Sequence, residues 1–95
     1  MAVDWDERKN RINERKHGVS FERAAGVFDD PHAVSFLERV VDDEERWHTI
    51  GMSGDSVVIL LVAHTVEEQN GEEEIRIISA RKASSRERAL YPPYQ

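Results

Sequence analysis

Arg76, Arg81, Lys82, Arg86 and Arg88 fall in the stretch 76–88 beside a single acid, Glu87, a local balance of +4 in a chain whose formal net charge is -6. A guanidinium is a planar fork that matches the oxygens of a phosphate or carboxylate, so the cluster points to an anionic partner. Alternation along a strand puts Ile75, Ile77, Ser79 and Arg81 on one face and Arg76, Ile78, Ala80 and Lys82 on the other. Arg81 is the leading phosphate clamp, and Arg76 joins it only if a β-bulge intervenes. Lys16-His17 precedes Gly18, where His17 could exchange a proton near neutral pH and Lys16 could hold an anion. The plainer alternative is that both favour the negative end of a helix. Glu45-Arg46 offers a base beside a phosphate contact, or only a surface ion pair. Tyr91 offers an aromatic hydroxyl to stack or orient, or only packing.

The remaining candidates read as structural. His64 ends the most apolar strand and reads as a buried, hydrogen-bonded imidazole. His48 alternates with Ile50 and Met52, which places it on a sheet face near the core, and His32 sits in a loop. Trp5 and Trp47 read as core. Asp42-Asp43-Glu44-Glu45 lacks the spacing of a calcium loop and reads as a solvated turn. With no cysteine there are no disulfides, thiolate zinc sites or thiol nucleophiles, and no glycine-rich phosphate loop or nucleophile elbow is present. No metal site and no cofactor is expected.

These groups need elements to hold them. Val3-Asp4-Trp5 is a possible edge strand, and Asp6 suits the N-cap of a helix over Glu7 to Lys16 that stops at Gly18. That helix is oddly poor in apolar residues, with Ile12 nearly alone, so it either packs lightly or presents a working face. Ser20 caps a second helix whose Phe21, Ala24, Ala25 and Phe28 form one buried stripe, ended by Asp29-Asp30-Pro31. Strands are expected over Ala33–Val41, Arg46–Ser53, Val57–Thr65 and Glu74–Lys82, with turns at Gly54-Asp55 and Asn70-Gly71. Ser84-Ser85-Arg86-Glu87 has capping-box spacing for a short last helix, ended by Pro92-Pro93. The expected fold is α+β: two N-terminal helices on a four-stranded antiparallel sheet, a possible N-terminal edge strand and a short C-terminal helix.

Ninety-five residues suit one domain, 1–95. The longest apolar run, Val57 to Ala63, is far short of the roughly 20 residues a spanning helix needs. No signal-peptide pattern is visible at the start, so a cytoplasmic protein is expected. Acids crowd two tracts, -6 from Asp29 to Glu45 and -5 from Glu67 to Glu74. Attraction for a polyanion must therefore be local.

Trp5-Asp6-Glu7, Lys9, Asn13, Lys16-His17-Gly18-Val19-Ser20-Phe21-Glu22 and Phe28-Asp29-Asp30-Pro31 resemble the front half of the BrnT toxins. Glu44-Glu45-Arg46-Trp47, Ile50-Gly51, His64-Thr65, Arg76-Ile77-Ile78-Ser79-Ala80-Arg81-Lys82-Ala83, Arg86-Glu87-Arg88 and Tyr91 resemble the rest. The resemblance implies a RelE-like ribonuclease fold and a type II toxin–antitoxin pair. It also implies RNA as substrate and a BrnA-like antitoxin that forms a hetero-oligomer and supplies the only DNA contact. Such enzymes cut RNA without a metal, using Arg, Lys and Tyr on an open sheet face. By that resemblance Arg81, His17, Arg76, Lys16, Glu45, Arg46 and Tyr91 are the catalytic candidates, and Lys82, Arg86 and Arg88 bind RNA. The alternative is a weak or inactive toxin-fold module that binds the antitoxin and modulates operon repression.

Overall fold

The computed structural model describes residues 1–54 and 56–92, so Asp55 of the expected Gly54 turn and Pro93 of the expected terminal stop lie outside the described residues. The chain runs β1 (Ala2–Trp5), α1 (Glu7–His17), α2 (Phe21–Ala25), a 3-10 turn (Gly26–Asp29), β2 (Val34–Val41), β3 (Glu44–Met52), β4 (Ile59–Gln69), β5 (Glu72–Lys82) and α3 (Ser85–Arg88). The four strands β2 to β5 form the expected antiparallel meander. The sheet is nonetheless five-stranded and mixed, in the order β1-β5-β4-β3-β2, because β1 pairs parallel to β5 with Val3 beside Ile75 and Trp5 beside Ile77. This corrects the four-stranded antiparallel expectation. The long connection from β1 to β5, through the two helices and the other three strands, permits parallel pairing, which a tight hairpin cannot make.

Local chemistry sets the boundaries. Asp6 accepts the N–H groups of Arg8 at 2.8 Å and Lys9 at 3.3 Å, and Gly18 ends α1 in the left-handed region at φ 72°. Asn70 and Gly71 both have positive φ, 54° and 80°, as a two-residue hairpin of the primed type requires. Asp42 and Asp43 do the same at 49° and 65°, so the acidic tract is a second tight hairpin and β3 begins at Glu44, earlier than expected. The helix from Phe21 is shorter than its apolar stripe suggested. It tightens after Ala25 into the 3-10 turn, which buries Val27 against the core.

Helices cover one face of the sheet. There Val19, Phe21, Ala24 and Val27 pack on Leu60, Val62, Ile77 and Ala80, with Trp5 edge-on to Phe21. Two buried asparagines resolve the puzzle of α1's composition. Asn13 donates to the Ala80 carbonyl at 2.8 Å and to the Val19 carbonyl at 2.9 Å, and accepts the Ala80 N–H at 3.1 Å. It thus stands in for the strand that β1, ending at Trp5, no longer provides. Asn10 accepts the Phe21 N–H at 2.8 Å and donates to Glu7 and Glu22. Helix α1 packs through amides, while its Ile12 is 46% exposed.

Candidate functional site

A bulge in β5 decides which cations share a face. Ala63 of β4 sits beside Ser79, but the next residue, His64, sits beside Ile77, so Ile78 is the extra residue. The alternation of β5 therefore inverts there. Ile75, Ile77 and Ala80 all face the helices, whereas Arg76, Ser79 and Arg81 all face the opposite, helix-free side.

On that open face the register lays side chains in rows across the sheet. One row runs Val34, Ile50, Leu61, Arg81. The next runs Phe36, His48, Ala63, Ser79, where Phe36 meets the His48 ring edge-on at 5.6 Å. The third holds Arg39 beside Arg46, then Thr65 beside Arg76 beside Asp4. Rows are about 7 Å apart and strands about 4.8 Å, so His48 and Arg76 are roughly 12 Å apart at their Cα positions. Their side chains can converge over Ala63 and Ser79, whose small side chains leave room. Arg39 and Arg46 are like charges directly opposite each other, an arrangement that costs stability. Glu38 and Glu44 relieve it with ion pairs at 3.1 and 3.0 Å. The Arg46 Nε–H is buried and has no acceptor among the described residues.

The three predicted arginines of this face differ in how firmly they are held. Arg81 makes a two-pronged pair with Glu87 at 2.7 and 2.9 Å. Glu87 also accepts the Ser84 N–H at 2.8 Å in the expected capping box. Hydrogen bonds from Arg81, helped by Ser84 and opposed by partial burial, hold the Glu87 carboxyl down to about 2. Arg76 pairs with Asp4 at 3.1 Å, with the Asp6 charge also nearby, and the Arg76 and Asp4 side chains are 55% and 64% exposed. An ion pair that open contributes about 0–1 kcal/mol and yields readily to a phosphate, whereas a bidentate, charge-assisted pair does not. Arg46 stands between the two.

The other predicted residues scatter. Tyr91 is buried over Ile50 and Leu61 at the edge of the open face, its hydroxyl donating to Asp30 at 2.7 Å. Burial works against the Asp30 charge, yet the Met52 and His32 N–H groups and Tyr91 hold its carboxyl below the ordinary range. Glu45 alternates with Arg46 and faces the helix side, so the adjacent pair does not act on one ligand. Lys16 and His17 end α1, which packs on β5 from the helix side, away from Arg76. Lys82 is exposed at the end of β5 and Arg86 is exposed on α3, while Arg88 is tied to the Ala83 carbonyl at 3.1 Å and the Ser85 hydroxyl at 3.0 Å. His64 is buried as expected: its Nε2 lies 2.7 Å from the Thr49 hydroxyl, and burial pushes it down to about 4. Sequence reasoning weighed His48 but read it as structural, and passed over Arg39. The signal that locates both is the Asp42-Asp43 turn, from which the pairing of Arg39 with Arg46 and Phe36 with His48 follows after one bulge.

Fold and site together define a small α+β domain with one sheet face clad in helices and the other studded with arginines. The chain belongs to the BrnT family: a family model described as "Ribonuclease toxin, BrnT, of type II toxin-antitoxin system" matches residues 5–87. It is thus a toxin-family member for which an antitoxin is the natural partner. No curated protein matches the chain. Among the described residues no helix is long and apolar enough to cross a membrane, and no three His, Asp or Glu side chains form a metal-ligand group.

Proposed function

We propose that residues 1–95 act as one toxin domain, an endoribonuclease that cleaves RNA on the open sheet face by metal-independent acid–base transfer. In this reading the fold is RelE-like, the compartment is the cytoplasm, and a BrnA-like antitoxin holds the toxin in a hetero-oligomer. The carrying observation is the β5 bulge, which brings Arg76 to the face of Arg46 and His48. His48 takes the proton of a ribose 2′-hydroxyl, whose oxygen attacks the adjacent phosphorus. Arg76 and Arg46 stabilise the phosphorane charge, and the bond to the 5′-oxygen breaks as that oxygen takes a proton from water, giving a 2′,3′-cyclic phosphate. Arg81 acts by position: with Glu87 and Tyr91 it pins the C-terminal segment at the edge of the face. Lys82 and Arg86 attract the RNA backbone. Lys16, His17 and Glu45 have no chemical part.

The test uses the purified chain, freed of antitoxin, with single-stranded RNA and excess chelator. Cleavage to cyclic phosphate ends that is lost in Arg76→Ala and His48→Gln supports the reading. A folded chain that leaves several RNAs intact refutes it. A second reading, a toxin-fold module that binds an antitoxin and adjusts operon repression without cutting, draws on one observation: Arg46, Arg76 and Arg81 each have a carboxylate partner. Harmless overproduction of the chain without its partner favours that second reading; growth arrest relieved by Arg76→Ala favours the enzyme.

A further inference from the structure

The helical layer is shorter than the sheet it covers. Strands β4 and β5 are each 11 residues, about 36 Å, whereas α1 has 11 residues and spans about 16 Å. The helices sit over Leu60, Val62, Ile77 and Ala80, and the same face continues past them toward the Asp42 and Asn70 hairpins with no helix above it among the described residues. The chain nevertheless keeps that half apolar. Trp47, Val66 and Ile75 line a groove of about 490 Å³ there, walled by Phe28 and Met1. Leu37 lies beside Trp47 and Val40 beside Glu45 on the same face, and Leu37, Val40 and Met1 are 45%, 56% and 61% exposed. A contiguous apolar patch of this kind on a small domain marks an interaction surface. The Trp47 indole N–H is buried in it with no acceptor among the described residues.

Charge says what covers it. The charged side chains lining the groove are Glu45, Glu68 and Glu73, all acids, and the adjoining hollow at the Asp42 hairpin adds Asp43. A second copy of this face would bring like charges together, and a polyanion would be repelled. From β1 to β2 the face is roughly 19 Å wide, the length of three to four turns of helix. We infer that a basic amphipathic helix of the antitoxin docks here, its apolar side on Trp47, Leu37 and Val40 and its Lys or Arg residues on Glu68 and Glu73. The docked helix completes the layer that α1 begins, on the face opposite the arginines. The partner rests on the toxin–antitoxin reading; the location rests on the groove.

The experiment uses the full chain and the antitoxin encoded with it. Leu37→Glu/Val40→Glu changes only exposed side chains, and Glu68→Lys/Glu73→Lys reverses the rim. Each double variant is expected to weaken antitoxin binding at least tenfold at about 100 mM salt, and wild-type binding to weaken as salt rises. In a Trp5→Phe background, Trp47 fluorescence shifts to the blue on binding. RNA cleavage by the free Leu37→Glu/Val40→Glu chain stays at the wild-type level. Full antitoxin affinity in both double variants, or loss of affinity only on changing Phe36 or Arg76 of the open face, overturns the inference. So does concentration-dependent dimerisation of the free chain that Leu37→Glu/Val40→Glu abolishes, which assigns the patch to self-association. Failure to cleave RNA with groove-dependent binding intact sinks the nuclease and leaves the docking site standing.

Discussion

The two faces of the sheet treat polar groups in opposite ways. On the helix-covered side the buried asparagine, threonine and histidine side chains are saturated, and the unpartnered Trp47 N–H lies beyond the reach of the helices. Asn13 and Asn10 spend their amides on backbone groups and on Glu7 and Glu22, and Ser35, Thr49 and His64 form a chain of contacts at 2.7 Å. On the open side Arg39 is set against Arg46, Arg76 is held by an exposed aspartate, and the Arg46 Nε–H meets no acceptor among the described residues. Groups that hold a fold together are satisfied within it. Groups kept in costly, loosely partnered positions fit a ligand that arrives later. The contrast makes a rule that mutation can break: changes on the covered side cost stability, and changes on the open side cost activity.

The sharpest test of the covered side is Asn13→Ala. It strands the Ala80 N–H and the Ala80 and Val19 carbonyls together, and the expected loss is about 3 kcal/mol of unfolding free energy. Urea denaturation followed by tryptophan fluorescence measures it; a loss under about 1 kcal/mol means that water replaces the amide and the helix is lightly docked after all. On the open side Arg76→Ala is expected to lower RNA cleavage about 100-fold, equivalent to about 2.7 kcal/mol, with the unfolding midpoint unchanged. An Arg76→Ala chain that cuts normally moves the chemistry off this row.

How much of this was legible depended on how local each feature is. Asp6, Gly18, Ser20, the Asn70-Gly71 turn and the Ser84–Glu87 capping box are dictated by neighbours in sequence, and all were readable there. The acidic tract reads as a solvated turn in sequence, but two adjacent acids do not signal that the turn closes in two residues, so β3 begins earlier than the pattern implies. Arg76 and Arg81 were assigned to opposite faces by strict alternation, and only the register at Ala63 and His64 exposes the bulge that unites them. The pairing of Arg81 with Glu87 bends the chain back over six residues through a corner, so a cluster that counted as +4 contains its own neutralising clamp. Buried asparagines in α1 were illegible for a related reason: an amide that completes a strand edge looks, in sequence, like a polar residue on a wet helix.

A pH scan extends the contrast to a titrating group. Folded His64 titrates near 4 and an unfolded histidine near 6.5, so the unfolded chain binds the extra proton between those values. The His64 contribution is therefore full above about pH 6.5 and falls as the pH drops toward 4, by about 2 kcal/mol at pH 5. Denaturation midpoints at pH 7 and pH 5 measure the slope, and His64→Gln is expected to flatten it. A slope of equal size in His64→Gln assigns the acid sensitivity to other groups.

The smallest expected effect probes the open side most directly. Asp4 is exposed, and its pair with Arg76 is worth at most about 1 kcal/mol, so Asp4→Asn leaves the unfolding midpoint within that margin. If Arg76 serves a phosphate, Asp4 competes for it and also repels the RNA backbone. Asp4→Asn then lowers KM for RNA by about two- to threefold, with the gain fading as salt screens both effects. An exposed control on the helical layer, Glu14→Gln, is expected to change neither quantity. Should Asp4→Asn instead raise KM, the aspartate is orienting Arg76 for its ligand, and the loosely held pair belongs to the machinery of the site.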